Sequence, residues 1–398
     1  MRILVVGPSA VARHNGGGER FRLTVEALKR VGLVEILLIG DASVDPALES
    51  ECGCAVRAVR AQFRRLSSGD YIRLLGGRGL PRRLRRHDFE LQRQVVQDVV
   101  GTRFDLVWLY GDVAGLTIDG DLGHPVVLDL VDYEAQRDFE VARASKPWYD
   151  LVEAVIARAD RTALRRCITS LSRAAAIAVI SSRVDAQSID GDVRVVPNGY
   201  RARGATLRSR FPTADEKITY LFVGTMGYRP NRDAAIWLAK DIWPRMLAVQ
   251  PHAQLRIVGR NPPDELNGTQ NVVATGEVDD IQHELDRADV ALVPVRLGSG
   301  TRVKILEAWA NGLPVITTQK GAEGLPVVGE VNVVLADTPT DFAIAADRLV
   351  REPTLVDGLR RNGRALYEAQ FSSHVIIDAF EAVARDALVA NPSGGRLK

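Results

Sequence analysis

The chain is poor in cysteine and has no long apolar run, and each shortage excludes a class of protein. Three cysteines in 398 residues are an odd number and too few for a disulfide framework. Cys52 and Cys54 also have no second pair with which to bind zinc. No stretch of 18 or more apolar residues occurs, so we expect no transmembrane helix. The apolar start, residues 1–6, is too short for a signal peptide. A cytoplasmic protein is therefore expected.

The chain also lacks a strong charge of either sign, since its formal net charge is only +2. A surface that binds nucleic acid is therefore not expected. Seven of the 52 cationic residues are lysine, and the excess of arginine indicates a bacterial protein from a GC-rich genome. Eleven arginines lie between residues 57 and 93, against three acidic residues. This basic segment (57–93) predicts peripheral contact with an anionic membrane or an anionic acceptor. A solvated or internally paired surface is the alternative.

Two motifs of nucleotide-binding proteins are missing from the first strand and its loop. No Gly-x-Gly-x-x-Gly follows the strand, and no Walker A sequence occurs anywhere in the chain. A hydride-transfer enzyme and a P-loop ATPase are therefore disfavoured. A longer loop ends instead with Gly16, Gly17 and Gly18, and a helix is expected to begin near Phe21. Glycines at such a junction let backbone N–H groups approach a phosphate or a sugar. A flexible entry loop is the alternative.

Short β-branched runs alternate with longer helical patterns along the whole chain, which predicts parallel βαβ units in two doubly wound sheets. The predicted strands are 3–6, 34–39, 106–109, 126–130, 176–180, 194–196, 219–223, 254–258, 272–275, 290–294, 314–317 and 331–335. The polar stretch 200–217 is the best linker. We expect domains at 1–205 and 206–373, with a last helix at 374–392 packing on the first. A cleft between the domains is the expected active site.

The most informative stretch, residues 298–318, predicts a glycine-rich loop, a short helix and a strand. Thr301 is the expected N-cap, and Asn311 with Gly312 predicts the end of the helix. Arg302 and Lys304 then lie in the first turn, where each cation opposes the helix dipole by about 0.3–1 kcal/mol. An anion at this position would remove the conflict. We expect that anion to be a diphosphate.

Several segments together resemble the family 4 glycosyltransferases, which have the GT-B fold of two facing Rossmann-like domains. The most specific segment is the 298–318 stretch, followed by 321–325. Others agree with the family in type and order: 180–182, 196–199, 222–231, 251–259, 276–278 and 293–294. The resemblance is nearly continuous in the second half of the chain and sparse in the first. It implies an α/β GT-B fold and a nucleotide-sugar donor.

The resemblance also implies which residues bind that donor. Arg302 and Lys304 would neutralise the diphosphate as the glycosidic bond breaks. Glu307 would accept hydrogen bonds from the ribose hydroxyls, and Val278 would hold the base. The other predicted donor-binding residues belong to three loops: Gly17, Gly18, Gly227, Arg229, Asn231, Gly298, Ser299, Gly300 and Thr301.

Two positions depart from the pattern of the family. Many members carry two glutamates separated by seven residues, and the first of these positions is Ser299 here. Many also have arginine and lysine in the first loop of the second domain, where this chain has Thr225 and then Pro230. We expect Arg302 and Lys304 to supply the positive charges instead, with Arg229 or Arg296 as further candidates.

The candidate acceptor site lies at the end of a first-domain strand. Residues 128–133 resemble by position the family segment that reaches the acceptor, and Asp132 is the candidate for orienting the acceptor hydroxyl. Helix capping by Asp129 or Asp132 is the alternative. His14 lies in the first loop, where a solvated side chain is the favoured interpretation. Two Asp-x-Asp sequences, Asp119–Asp121 and Asp190–Asp192, have a central glycine and are predicted to be turns. We expect no metal and no other cofactor.

These patterns predict a retaining hexosyltransferase that uses a nucleoside diphosphate sugar, with UDP favoured and GDP or dTDP as alternatives. Retention is implied by the resemblance. The acceptor is a hydroxyl compound of cell-surface glycan, glycolipid or secondary-metabolite synthesis. The alternatives are a nucleotide-sugar epimerase or sugar phosphorylase on a similar fold, and a non-catalytic glycosyltransferase-like partner subunit. Peripheral location at the inner face of the membrane is compatible with the basic segment.

Overall fold

Two units make up the chain in the computed structural model: Met1–Asn198 with His374–Lys398, and Gly199–Ser373. The sequence predicts this boundary between residues 205 and 206. The structure describes residues 1–12, 16–40, 46–63, 87–100, 104–116, 124–130, 150–202, 210–213, 215–298 and 302–390, with isolated positions 65, 67, 69, 73, 80 and 84.

Seven parallel strands form the sheet of the first unit, in the order β3-β2-β1-β4-β5-β6-β7. They are β1 (Arg2–Pro8), β2 (Leu33–Gly40), β3 (Ala55–Arg60), β4 (Leu106–Tyr110), β5 (Val126–Asp129), β6 (Ile177–Ile180) and β7 (Val193–Val195). Side chains of β1 enter a core on each face of the sheet, Ile3 and Val5 on one side, Leu4 and Val6 on the other. A central parallel strand is apolar throughout because both faces are covered.

Within the described residues, six α-helices of this unit precede the second unit. They are α1 (Gly16–Lys29), α2 (Pro46–Cys52), α3 (Phe89–Val100), α4 (Asp112–Leu116), α5 (Asp150–Ala174) and α6 (Arg183–Ala186). α1 begins five residues before the predicted start at Phe21, because all three glycines of the loop are helical.

Six parallel strands form the sheet of the second unit, in the order β10-β9-β8-β11-β12-β13. They are β8 (Thr219–Val223), β9 (Gln254–Val258), β10 (Val272–Gly276), β11 (Val290–Val293), β12 (Val315–Thr317) and β13 (Val334–Leu335). The helices are α7 (Arg229–Trp237), α8 (Trp243–Val249), α9 (Gln282–Arg287), α10 (Val303–Ala310), α11 (Pro339–Arg351) and α12 (Pro353–Gln370). Because the strands are parallel, the loops after β8, β9 and β11 meet at one edge of the sheet.

The last helix, α13 (Ser373–Val389), contributes to the core of the first unit. Its Ile376, Ile377 and Phe380 are buried there, and the Phe380 ring lies edge-on to Trp108 of β4, with ring centroids 5.8 Å apart. The core of the first unit is therefore built from both ends of the chain.

The predicted pair of parallel α/β sheets is confirmed, with two differences. β3 was not predicted, because its edge position leaves Arg57 and Arg60 exposed and the alternating pattern merges with the basic segment. β13 is shorter than the predicted 331–335, because Glu330 has a φ of +64° and its N–H donates to the Val333 carbonyl in a turn. Trp237, Trp243 and Trp309 are buried in the core of the second unit.

Candidate functional site

A tight loop after β8 forms one side of the candidate site in the second unit. The Gly224 N–H donates to the Val258 carbonyl at 2.9 Å, and the Asn231 side-chain amide donates to the Thr225 carbonyl at 3.0 Å. A Cβ on Gly224 would lie 2.9 Å from Cγ of Asn231 and 3.2 Å from Cε of Lys304. Only glycine therefore lets both side chains pack directly against this backbone.

Lys304 is the second residue of α10 and is half-buried against the β8 loop. Burial lowers its pKa to about 8, the positive charge of Arg302 acts in the same direction, and Glu307 opposes them. The desolvation of a cation beside a second cation is what an anion would relieve. The site is thus electrostatically prepared for a negatively charged ligand.

Arg302 connects the loop after β11 with two backbone carbonyls. Its Nη2 donates to the Gly298 carbonyl at 2.7 Å and to the Lys320 carbonyl at 3.3 Å. Gly298 has a φ of +96°, and a Cβ there would lie 3.3 Å from the Tyr228 hydroxyl. The loops after β8 and β11 therefore lie against each other, with Arg302 and Lys304 beside them.

The start of α10 corrects one prediction. The helix begins at Val303 with Arg302 as its N-cap residue, and not at Arg302 with Thr301 as the cap. Arg302 has φ −82° and ψ 80°, which is not helical, and its side chain bonds back to the preceding loop. Ser299, Gly300 and Thr301 lie outside the described residues. Lys304 remains in the first turn, as predicted.

The rest of α10 agrees with the sequence. Glu307 follows Lys304 by three residues, so the two side chains share a helix face. The predicted end of the helix is confirmed, with Asn311 as the C-cap residue and Gly312 at φ +65°. The Asn311 side-chain amide donates to the Glu307 carbonyl at 2.7 Å and satisfies one of the last backbone acceptors.

The remaining predicted donor-binding residues of this unit lie on the loops at the same sheet edge. Gly227 is exposed, and a Cβ there would lie 3.2 Å from Nδ2 of Asn261 in the loop after β9. Arg229 is the exposed first residue of α7, whereas Asn231 is buried. Val278 follows β10 and packs against the core of the unit. The structure therefore brings Asn231, Gly298, Arg302 and Lys304 together, and places Val278 two strands away from β8.

Residues 217–352 match the family model described as Glycosyl transferases group 1. The second unit is a group 1 glycosyltransferase domain. No curated protein sequence matches the chain.

Solved structures show the fold of the whole chain. HepE from Anabaena, in complex with UDP and glucose, is 14% identical with a TM-score of 0.63, covering 95% of this chain and 97% of its own. Sucrose-phosphate synthase from Thermosynechococcus elongatus is 18% identical with a TM-score of 0.67, covering 98% and 100%. WaaG, a glycosyltransferase involved in lipopolysaccharide biosynthesis, is 13% identical with a TM-score of 0.59, covering 99% and 100%. The predicted GT-B fold of two Rossmann-like domains is confirmed.

In the first unit of the chain, the predicted residues are only partly described. Gly17 and Gly18 lie in the first turn of α1. Asp132 and His14 lie outside the described residues, so their predicted roles stay predictions.

Sequence reasoning missed a buried arginine directly after the glycines. Arg20 is fully buried and pairs with Asp129 at the end of β5, Nη2 to Oδ1 at 2.9 Å. Its position in the run Gly16–Gly17–Gly18–Glu19–Arg20 was the available signal, but its partner is 109 residues away. The carboxylate of Asp129 is thus engaged within the first unit.

The structure describes one of the two Asp-x-Asp sequences, Asp190–Asp192. Asp190 pairs with Arg173 at 2.7 Å and Asp192 with Arg194 at 2.8 Å, on either side of Gly191 at φ +114°. That segment is the predicted tight bend, while Asp119–Asp121 lies outside the described residues. Across the residues that the structure describes, no three His, Cys, Asp or Glu side chains are grouped as metal ligands would be.

The basic segment is described only in part. Arg57, Arg60, Arg65 and Arg73 are all exposed, and Arg57 also pairs with Glu35 at 3.5 Å. Phe63, in the same segment, is 67% exposed. None of the described helices is both long enough and apolar enough to cross a bilayer.

Proposed function

We propose that the protein is a retaining glycosyltransferase of family 4 that moves a hexosyl unit from a nucleoside diphosphate sugar to a hydroxyl acceptor. The observation that carries this proposal is the position of Lys304, half-buried against Gly224 with a lowered pKa and with Arg302 beside it. Such a pair of cations at a helix start suits a diphosphate. The group 1 domain supplies the reaction class.

In the proposed reaction the diphosphate is the leaving group. The bond between the anomeric carbon and the phosphate oxygen breaks, and the acceptor oxygen forms its bond on the same face of the sugar. The departing phosphate oxygen takes the proton of the acceptor hydroxyl. Arg302 and Lys304 stabilise the charge that develops on the phosphate, Glu307 binds the ribose hydroxyls, and Asp132 orients the acceptor.

The positive charges of Arg302 and Lys304 neutralise the leaving diphosphate, which in other transferases is the role of a divalent ion. The proposed reaction therefore requires no metal. An assay with excess EDTA tests this point. An unchanged rate supports it, and a rate lost in EDTA and restored by magnesium or manganese contradicts it.

UDP is the favoured nucleotide, because the structurally similar HepE is described in complex with UDP and glucose. The acceptor is a surface-glycan or glycolipid intermediate, and the enzyme works in the cytoplasm at the inner face of the membrane. Two features support this class: the exposed arginines of the basic segment, and the similarity to WaaG of lipopolysaccharide biosynthesis.

Calorimetric binding of UDP, GDP, dTDP and ADP to the wild type and to Lys304→Ala tests the site. We expect one nucleotide to bind and the substitution to weaken it at least tenfold, about 1.4 kcal/mol. Lys240→Ala is the control, since Lys240 is an exposed lysine of the same unit. If no nucleotide binds, or if Lys304→Ala binds as tightly as the wild type, the proposed site is wrong.

The stereochemistry has its own test. Proton NMR of the isolated product should show the anomeric configuration of the donor sugar, and an inverted product would contradict retention. Incubation of the nucleotide sugar without acceptor distinguishes the epimerase alternative. An epimerase would convert it into an epimeric nucleotide sugar, with no transfer to an acceptor.

A further inference from the structure

Arg20 makes more contacts than a simple ion pair. Its Nε lies 3.3 Å from both carboxylate oxygens of Asp129, and its Nη2 lies 2.9 Å from Oδ1. Its Nη1 donates to the Val196 carbonyl at 2.7 Å and to Oδ1 of Asn198 at 3.1 Å. The guanidinium also lies 4.9 Å from the centroid of the Phe380 ring on α13. The planar guanidinium thereby joins α1 to three other segments: the end of β5, the segment after β7, and α13.

These segments have a common place in the fold. Asp129 ends β5, Val196 and Asn198 follow β7, and Arg20 itself lies one turn after the glycines that begin α1. Because the sheet is parallel, the carboxyl ends of β5 and β7 lie on the same side of it. Open α/β folds bind their ligands at the carboxyl ends of the strands. The backbone of Asp129 is itself fixed there, since its carbonyl accepts from the Gly111 N–H at 2.7 Å.

Stability alone does not explain a fully buried ion pair. Both side chains have no exposed surface, so their charges are removed from water at a large cost. Apolar pairs of similar volume usually replace such ion pairs without loss of stability. An apolar pair cannot supply directional hydrogen bonds. The planar guanidinium of an arginine has donors in fixed directions, so it holds several acceptors in fixed positions relative to one another.

We propose that Arg20 is a positioning residue for the glycosyl transfer. It holds the end of β5 and the Val196–Asn198 segment in fixed places relative to the first turn of α1, so that the first unit presents one geometry to the substrates. Arg20 touches no substrate and acts through these segments. This inference rests on the proposed function, since it assigns a role in that reaction.

Four proteins test the proposal: the wild type, Arg20→Lys, the double variant Arg20→Met/Asp129→Leu, and Ile168→Ala as the control. Arg20→Lys keeps the charge and removes the fork, and the double variant replaces the pair by apolar groups. Ile168 is buried in α5, in the core cluster on the other face of the sheet from the one that contains Phe380. Its truncation therefore destabilises the same unit without touching the Arg20 contacts.

The assay is release of nucleotide from UDP-, GDP-, dTDP- or ADP-glucose, with water as the acceptor, alongside thermal unfolding and nucleotide binding. We expect both Arg20 variants to bind nucleotide within twofold of the wild type and to keep the donor KM within twofold. Their kcat should fall at least tenfold. Ile168→Ala should lower the midpoint of thermal unfolding and keep kcat within twofold.

The outcomes separate the two claims. Arg20 variants with a kcat within twofold of the wild type overturn the positioning role, and so does an equal loss of kcat in Ile168→Ala, because activity would then follow the stability of the unit in general. A wild type that releases nucleotide from none of the four donors overturns the proposed function and, with it, the inference.

Discussion

Cε of Lys304 lies 3.2 Å from the place that a Cβ on Gly224 would occupy. This contact joins the first turn of α10 to the backbone of the loop after β8, and it places a cation with a pKa of about 8 against that loop. The geometry of the candidate diphosphate site therefore depends on the absence of a side chain at Gly224.

Gly224→Ala should weaken nucleotide binding by about tenfold, or roughly 1.4 kcal/mol. The new methyl would displace the Asn231 amide from the Thr225 carbonyl and move the Lys304 side chain. Calorimetry with the nucleotide that binds the wild type measures the effect. Gly358→Ala, at a position on α12 with nothing within 4 Å, is the control and should bind normally. Equal binding by the two variants would show that nucleotide binding does not depend on the packing of Lys304 and Asn231 against Gly224.

Nucleotide affinity should fall as the pH rises through about 8. The pKa of Lys304 implies that about nine-tenths of its side chains are charged at pH 7 and about one-tenth at pH 9. The affinity of a diphosphate should therefore decrease by up to about tenfold over this range. Lys304→Arg should remove the dependence, since arginine stays charged. A wild type and a Lys304→Arg variant with the same pH profile would contradict the assignment.

The same pKa also predicts how stability without nucleotide depends on pH. The folded-state pKa lies below the ordinary lysine value of 10.5, so the folded protein binds fewer protons than the unfolded chain between about pH 8 and 10.5. The charged form is the one that folding disfavours. The contribution of Lys304 to stability therefore rises across this window, and chemical denaturation of wild type and Lys304→Met measures the difference.

Two glycines of α12 should respond in opposite directions to alanine. A Cβ on the buried Gly363 would lie 2.4 Å from Cδ1 of Trp309, a fully buried ring of α10, and the clash should cost about 1–3 kcal/mol. Gly358 has open space around it, so alanine should stabilise the helix by about 0.5–1 kcal/mol. Thermal unfolding of both variants measures the pair. A stabilising Gly363→Ala would mean that α10 and α12 pack differently.

The basic segment should bind anionic vesicles. Neutralising Arg60, Arg65 and Arg73 together as Arg→Gln should weaken co-sedimentation with phosphatidylglycerol vesicles, at about 1 kcal/mol per arginine that lies at the surface. The matched control removes the same charge from α5, with Arg158, Arg165 and Arg166 changed to glutamine. If both triple variants lose binding equally, the attraction is general and the basic segment has no special role.

The strands were predictable because a parallel strand covered on both faces is a continuous apolar run, as in residues 3–6 of β1. Edge strand β3 was not predicted, because exposed Arg57 and Arg60 interrupt its apolar pattern. The sequence also predicted the helix with Lys304, since its ends are marked by local residue types. The start was one residue off, because the bond from Arg302 to the Gly298 carbonyl holds Arg302 outside the helix.

Long-range pairs could not be predicted from one sequence. Nothing near Arg20 indicates that its partner is Asp129, 109 residues later, or that the Phe380 ring covers it. In the same way, the contact between Lys304 and Gly224 depends on two strands becoming neighbours in the sheet. A local sequence pattern can indicate that a charged residue belongs to a site. The residues that surround its side chain are known only from the fold.

Because α13 supplies Ile376, Ile377 and Phe380 to a core whose members outside that helix all precede residue 199, the first unit cannot complete this core during synthesis before α13 is made. On the ribosome, the contiguous second unit emerges whole before the last piece of the first one. The first unit therefore keeps part of its apolar surface uncovered until α13 has emerged, and an incomplete core of this kind is prone to aggregation.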